Sequence, residues 1–433
     1  MPNIMASRYR RSAELLERAL RVVPLGSQTF SKSKTQYPEG VSPFFMARAK
    51  GSRTWDVDGN EYIDFVNGLA AITLGYNDPD VDAAVSEQLQ KGVIFSLPHP
   101  LEVEVAEKMV AMVPCAEMVR FGKNGSDATS GAVRLARAYT GRDRVAVCGY
   151  HGWQDWFIGS TSRHRGVPAA VRELTHTFSY NDAASLRQVL ERFPGQFAAV
   201  MLEPMNIVEP RAGFLQAVKM LAQEHGALLV FDETITGFRF ANGGAQEFFG
   251  VTPDLATFGK GLANGYPLSA VVGRQEVMHL MEEIFFSFTF GGELLSLAAS
   301  SATLDKLREQ PVVQTLRERG QQLLDGVRGL ISRHQVADII EISGNPVWTF
   351  LKVKSAGEYT EWQLKTLLLQ ELFARGILMI GSHNLSYAHS RADIEQLLSV
   401  YDEVFPMVGT AVRERRVEKL LKTQPLEPLF KVR

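Results

Sequence analysis

Two short runs in this 433-residue chain constrain its fold more than anything else: Phe197–Leu202 (FAAVML) and Ala227–Phe231 (ALLVF). Neither alternates apolar with polar residues, so each reads as a strand buried on both faces. Between them, Phe214–His225 repeats its apolar residues at helical spacing. A buried strand, a helix and a second buried strand make a right-handed crossover onto a parallel sheet. Met118–Phe121, Val145–Val147 and the apolar run ending at Phe258 extend the same scheme, with helices predicted over Leu101–Met112 and Ala128–Tyr139. The predicted class is therefore α/β: a large domain with a mostly parallel central sheet and helices on both faces.

Both ends of the chain have a different texture. Thr54–Phe65 (TWDVDGNEYIDF) places two alternating runs around Asp58-Gly59, a hairpin signal. Near residue 310, long helical patterns begin over Val312–Arg333, Thr360–Arg375 and Ile394–Val417, around short strands at Ile340–Ile342 and Trp348–Val353. These predict a smaller α+β domain. The expected division is 1–65 as an N-terminal segment with a helix and hairpin contributing to the small domain, 66–310 as the large domain, and 311–433 as the rest of the small one.

Composition narrows the function. With 46 basic and 48 acidic side chains the net charge is -2, which offers no broad field for nucleic acid or an anionic membrane. No apolar run approaches the roughly 18 residues of a membrane span. Cys115 and Cys148 are too few for a disulfide scaffold or a four-thiolate metal site, so no metal is expected. The Arg-rich N-terminus is interrupted by Glu14 and Glu17, and Leu15, Leu16 and Leu20 fall at helical spacing. It reads as a surface helix rather than a targeting peptide, with a cytoplasmic protein as the default expectation.

Ligands of open parallel sheets sit outside the carboxyl ends of the strands, so the residues after each strand are the candidates. After Phe121 comes Gly122-Lys123-Asn124-Gly125-Ser126-Asp127 and then a helix. Gly125 permits close backbone approach and Ser126 offers a hydroxyl at a helix N-terminus, so the turn is either a phosphate cradle or simply a capped turn. After Val147, Tyr150 lies in Cys148-Gly149-Tyr150-His151-Gly152-Trp153 and is either a stacking surface for a planar ligand or a packed loop aromatic. Glu203 follows Leu202. Asp232 directly follows five apolar residues, and a carboxylate desolvated there needs a cationic partner. Lys260, between Gly259 and Gly261 after an apolar strand, is either a Schiff-base lysine or a snorkelling surface lysine.

Other chemistries lack their usual patterns. Gly259, Gly261 and Gly265 are not spaced as a dinucleotide fingerprint, and the chain has no P-loop, H-E-x-x-H or G-x-S-x-G sequence. A phosphate cradle, a stacking aromatic, a strand-end carboxylate and a strand-end lysine together suit one cofactor, pyridoxal 5′-phosphate (PLP).

The stretches MVRFGKNGSDATSGAVRLARAYTGRDR, LEPMNIVEPRAGFL, GALLVFDETITGFR and PDLATFGKGLANGYPLSAVVG resemble the class III PLP-dependent aminotransferases of fold type I, most closely the glutamate-1-semialdehyde aminomutase branch. The resemblance spans nearly the whole chain. It implies that Lys260 forms the Schiff base with the cofactor and that Asp232 pairs with the pyridine nitrogen. Tyr150 would stack on the ring, Gly125 and Ser126 would hold the phosphate, and Glu203 and Asn206 would lie near the ring hydroxyl. Thr289, in FSFTFGG, would reach the phosphate of a neighbouring subunit, which implies a homodimer with shared active sites.

Three departures from the aminomutase pattern bear on the substrate. The family's Asn-Ser-Pro-x-Arg segment corresponds to Gln28-Thr29-Phe30-Ser31-Lys32, and Lys32 can attract a carboxylate without a bidentate fork. The lid after the stacking aromatic is shorter and carries Arg163, His164 and Arg165. A C-terminal Ser-Gln-Phe-Glu segment is replaced by Gly381-Ser382-His383-Asn384-Leu385-Ser386-Tyr387. The substrate candidates are thus Lys32, His151, Arg163, His383 and Asn384. The last two are equally loop residues that satisfy backbone groups. A pocket with fewer carboxylate clamps suits a neutral, hydroxylated, sugar-like carbonyl acceptor with an amino acid such as glutamate as donor, a pattern also similar to the amino-sugar transaminases of this class. The alternative is intramolecular amino transfer of the aminomutase type.

Overall fold

The structure, a computed structural model, describes residues 8–428. The chain divides into two compact units, one built from the chain up to Asp78 together with Gln314 onward, the other from Pro79–Val313. Residues 66–78 thus group with the flanking unit rather than with the sheet domain.

The first unit begins with a helix, Arg10–Val22, then β1 (Met46–Lys50), β2 (Arg53–Asp56) and β3 (Glu61–Asp64) in an antiparallel meander. The hairpin expected around Asp58-Gly59 is the β2–β3 turn. Asp56 organises it by accepting hydrogen bonds from the backbone N–H groups of Asp58 (3.0 Å) and Asn60 (2.8 Å).

The second unit is built on seven strands: β4 (Met118–Gly122), β5 (Arg144–Cys148), β6 (Thr175–Thr177), β7 (Phe197–Leu202), β8 (Leu228–Asp232), β9 (Leu255–Phe258) and β10 (Ser269–Gly273). Their spatial order is β4-β10-β9-β8-β7-β5-β6. Every pairing is parallel except the two made by β10. All residues of β7, β8, β9 and β10 are buried, the outcome expected of unbroken apolar runs in a covered parallel sheet. The helix Gly125–Thr140 packs on this sheet through small residues, with Ala128, Ala132 and Ala136 in the same core as Val145, Met201 and Val230. Sequence reading does not predict β10, because an apolar run of only three residues after a Gly-Tyr-Pro loop gives periodicity too little to register.

The chain completes the first unit with β11 (Ile340–Asn345), β12 (Trp348–Val353), β13 (Ile377–Leu378) and β14 (Ser382–His383). β11, β12 and β14 form a separate sheet, and β13 adds in parallel to β3. The helix predicted over Ile394–Val417 instead runs Arg391–Arg413 and is followed by a short helix, Val417–Leu420. Arg415 between them adopts the left-handed region at φ 52°, which interrupts the helix. Among the described residues, no helix is long and apolar enough to cross a membrane.

Candidate active site

The carboxyl ends of β4, β5, β7, β8 and β9 lie on one edge of the seven-stranded sheet, and each is followed by one of the polar residues singled out above. Asp232 is the last residue of β8, in register with Thr257 of β9, and Lys260 comes three residues after that threonine. Asp232 is 4% exposed. Its Oδ1 accepts hydrogen bonds from the Thr234 backbone N–H (3.1 Å) and the Thr257 hydroxyl (3.1 Å), and its Oδ2 lies 2.8 Å from His151 Nδ1. Burial alone would raise the acid's pKa. The hydrogen bonds from His151 and Thr234 outweigh it and hold the carboxyl below its usual range.

Lys260 opens a short 3-10 turn, Lys260–Ala263, at φ 45°. A side-chain-bearing residue in the left-handed region stores strain on the order of 1–3 kcal/mol, and such residues cluster at active sites. The lysine is half-buried.

The loop after β5 gathers the remaining groups. The Tyr150 backbone N–H donates to Glu203 Oε2 (3.1 Å), and Asn206 Nδ2 donates to the same oxygen (3.2 Å). Tyr150 is 40% exposed, and its ring meets that of Phe157 edge-on. Thr129 of the helix Gly125–Thr140 donates to the His151 carbonyl (2.8 Å), and the Trp153 backbone N–H reaches Ser126 Oγ (3.4 Å). Gly149 and Gly152 both adopt positive φ (109° and 107°), and a Cβ at either would collide with Glu203 or Ser126 respectively. Only glycine lets the loop lie this close.

The structure therefore brings Gly125, Ser126, Tyr150, Glu203, Asn206, Asp232 and Lys260 to one sheet edge. Thr289 is exposed in a turn between Phe288 and Phe290. Arg163 is exposed in the loop that follows Thr161, and Lys32 is exposed in the other unit.

Three substrate expectations are corrected. The His151 side chain is fully buried, with Nδ1 against Asp232 and Nε2 3.2 Å from the Cys148 carbonyl, so neither nitrogen is available to a substrate. His383 lies in the core of the first unit, with Nδ1 2.8 Å from the Thr349 hydroxyl and Nε2 2.7 Å from the Tyr401 hydroxyl. Burial lowers its pKa to about 3. Asn384 donates to the Val66 carbonyl (2.8 Å) and accepts from Trp348 Nε1 (3.0 Å), so it too satisfies structural groups.

Two functional neighbours escape sequence reading. Thr257 is the one polar residue in the buried strand β9, and a buried hydroxyl needs a partner; that was its signal. Lys123, in the turn before Gly125, forms an ion pair with Glu293 (3.0 Å), and both side chains are about 85% buried. Nothing local in the sequence points to a partner 170 residues away.

Residues 36–389 match the class III aminotransferases. The chain belongs to that family. Among its relatives is 3-aminobutyryl-CoA aminotransferase of Cloacimonas acidaminovorans, 35% identical over 396 residues, which covers 89% of this chain and 94% of the relative. Glutamate-1-semialdehyde 2,1-aminomutase of Syntrophobacter fumaroxidans is 41% identical over 335 residues, 73% of this chain and 77% of the relative. Among solved structures, the FumI protein of Sphingopyxis sp. MTA144, in its PLP internal aldimine form, superposes with a TM-score of 0.87 at 31% identity, over 96% of this chain and 99% of that one. The chain is thus a PLP-dependent enzyme of the aminotransferase or aminomutase kind, with the fold type I architecture expected from its sequence.

The residues present fit PLP. The cofactor is an anionic phosphate joined to a flat ring that carries a basic nitrogen and an aldehyde. The sheet edge offers a helix N-terminus whose first amides have no partner within the helix, an aromatic face, a buried carboxylate held ionised, and a primary amine. The glycines at 149 and 152 remove the side chains that would otherwise fill the loop beside Glu203 and Ser126.

Proposed function

We propose that this class III enzyme is an intermolecular aminotransferase, passing an amino group from an amino-acid donor, glutamate first among the candidates, to the carbonyl of a small acceptor whose reacting carbon is not clamped through a carboxylate. The observation that carries this reading is the adjacent pair at the sheet edge, an ionised Asp232 and a strained Lys260 at the ends of neighbouring parallel strands. The bound PLP supplies an electron sink that stabilises negative charge on the carbon bearing the amine.

The protein's own contributions follow from its side chains. Lys260 Nζ takes the proton from that carbon of the donor and, in the second half of the cycle, returns a proton to the acceptor's carbon. The Asp232 carboxylate holds the ring nitrogen protonated, while Thr257 and Thr234 fix its direction. Tyr150 would hold the ring, Gly125 and Ser126 would bind the phosphate, and Glu203, to which Asn206 donates, would serve the ring hydroxyl.

The acceptor class rests on the missing arginine fork at Gln28–Lys32 and on relatives whose names place the amine away from an α-carboxylate, such as 3-aminobutyryl-CoA. A neutral hydroxylated carbonyl fits that description. It draws nothing from His383 or Asn384, which serve the core. The alternative, intramolecular transfer, is favoured by the identity to the Syntrophobacter aminomutase.

Spectral half-reactions decide between them. A donor amino acid should bleach the visible band of the bound cofactor and release one keto acid per site, and a keto or aldehyde acceptor should restore it. Turnover of an amino-aldehyde with no second substrate, and no bleaching by any amino acid, would overturn the transaminase reading. The working form is a homodimer in the cytoplasm with Thr289 reaching across to the partner's phosphate. Phe285, Phe288 and Phe290 around that threonine are 82%, 38% and 59% exposed, an apolar cluster suited to coverage by a second copy.

A further inference from the structure

The segment from Ile284 to Glu293 is fastened along β4, the turn after it and the helix Gly125–Thr140. Arg134 Nη1 donates to the Ile284 carbonyl and Arg120 Nη2 to the Phe286 carbonyl, each at 3.2 Å. The Phe286 ring fills the bare side of Gly131, where a Cβ would lie 2.8 Å from it, and the Phe288 ring lies 3.4 Å from a Cβ built on Gly122. At the far end Glu293 Oε2 meets Lys123 Nζ at 3.0 Å, with both side chains largely buried. Glu293 already has a local task. As N-cap of the helix Leu294–Glu309, its Oε1 accepts from the Leu295 amide (2.8 Å) and its Oε2 from the Ser296 amide (3.1 Å) and hydroxyl (2.6 Å). Burial would raise this acid's pKa, but the hydrogen bonds from Ser296, Lys123 and Leu295 outweigh it and hold the carboxyl below its usual range. Capping does not require the lysine, and bringing it there desolvates a second charge and fixes a long side chain.

What the pair joins explains its presence. Lys123 opens the turn that leads to Gly125 and Ser126, and its backbone N–H and that of Asn124 both donate to Asp127 Oδ2 (3.2 and 2.7 Å). Glu293 closes the strap whose exposed tip carries Thr289. We propose that Lys123 and Glu293 are positioning residues, a clamp that fixes the phosphate turn of one active site to the strap that serves the phosphate of the other. The inference rests on the roles proposed above for Gly125, Ser126 and Thr289. Neither clamp residue touches the cofactor. With the pair closed, turn and strap move as one body, and pulling them apart would strand a charge on each side in a poorly solvated place. The Phe288 ring against Gly122 seats the strap on the same turn from the other side of Thr289.

The test reads cofactor retention rather than turnover. Glu293→Gln keeps an acceptor oxygen for the cap and removes the charge, while Lys123→Met keeps the stem and removes the ammonium. Each should weaken PLP retention about tenfold in equilibrium dialysis and shift the phosphorus-31 resonance of the bound phosphate. Lys123→Arg, which still reaches a carboxylate, should restore both. Mixed dimers then separate the two ends of the clamp, with borohydride counting only the PLP held by the chain that keeps Lys260. When that chain carries Glu293→Gln and its partner Lys260→Ala, the count reports the turn. When one chain carries both changes and the other is wild type, the count reports the strap. Both counts should fall. Normal retention with an unmoved phosphorus signal in Glu293→Gln and Lys123→Met would overturn the proposal, as would weakening in only one kind of mixed dimer. If Lys123→Met fails to fold, Glu293→Gln decides. Thr289→Ala on the chain that carries Lys260→Ala keeps the readings apart. If it leaves the wild-type chain's count unchanged, the role of Thr289 is at fault and the clamp falls with it; if it lowers the count and Glu293→Gln in its place does not, this inference alone falls.

Discussion

His151 and His383 are equally hidden, at 2% and 0% exposed, and each has a partner on both ring nitrogens within 3.2 Å. Their partners differ in kind. The Thr349 and Tyr401 hydroxyls around His383 can each donate or accept, so a neutral ring satisfies both and burial drives its pKa down to about 3. Around His151 stand a carboxylate and a main-chain carbonyl, both of which only accept. Depth of burial is the same, and the two rings differ in the kind of group each one meets. The contrast extends to purpose: His383 joins β14 to β12 and the helix Arg391–Arg413 inside the first unit, whereas His151 backs the carboxylate at the sheet edge of the second.

The strongest way to break this contrast is at the sheet edge. Lys260→Ala should lower turnover by about 10^4-fold or more, since it removes the group that moves the proton, and borohydride should no longer trap the cofactor on the chain. Asp232→Asn keeps the shape while removing the charge, and turnover should fall by about 10^2–10^4-fold. Unfolding midpoints of both variants should stay near the wild-type value. A large loss of stability without a kinetic defect would mean that the sheet edge is structural, like the His383 cluster.

His383→Ala should show the opposite profile. It strands two buried hydroxyls and leaves a cavity, costing about 2–4 kcal/mol of unfolding free energy, while each folded molecule keeps its turnover. Denaturant unfolding alongside steady-state kinetics measures both. A His383→Ala protein of normal stability that fails to turn over would restore the substrate role read from its position.

That role was misread for a physical reason. The apolar runs of β7 and β8 identify themselves because burial on both faces forbids polar residues, and a charged residue immediately after such a run must be dealt with chemically; Asp232 and Lys260 are legible on those grounds. A histidine carries no comparable mark. Its chemistry belongs to its partners, and those of His383 lie 34 residues upstream and 18 downstream, while Asp232 is 81 residues from His151. The same distance hides the Lys123–Glu293 pair. β10 is hidden for another reason, since an antiparallel strand of five residues between two parallel neighbours has no crossover helix to announce it.

A subtler separation of the two histidines lies in the pH dependence of stability. His383 has a folded pKa of about 3 against 6.5 in the unfolded chain, so between those values the unfolded state binds the extra proton. Its contribution is complete above about pH 6.5 and is lost progressively as pH falls towards 3, with a limiting slope of about 1.4 kcal/mol per pH unit. Asp232, also lowered, acts in the same direction but only below its unfolded value of 3.8. The unfolding free energy of His383→Asn should therefore fall less steeply than that of the wild type between pH 6 and 4, and equal slopes would show that the ring is already charged in the fold.

The smallest effect belongs to a residue unlike either histidine. Thr289 is exposed in a turn between Phe288 and Phe290, which suits the contact proposed for it across an interface. One hydrogen bond to a phosphate in the partner's site is worth about 1 kcal/mol, so Thr289→Ala should weaken PLP retention by roughly fivefold while leaving the shape of the cofactor spectrum unchanged. Equilibrium dialysis gives the retention and sedimentation gives the assembly state of the same sample. The proposed shared site puts the mutated chain and the weakened site in different subunits, so in mixed dimers of Thr289→Ala with Lys260→Ala the chain that keeps Lys260 should regain wild-type PLP retention, which self-contained chains cannot do. A fully active monomer would confine every contribution to the sheet edge where His151 and Asp232 already stand.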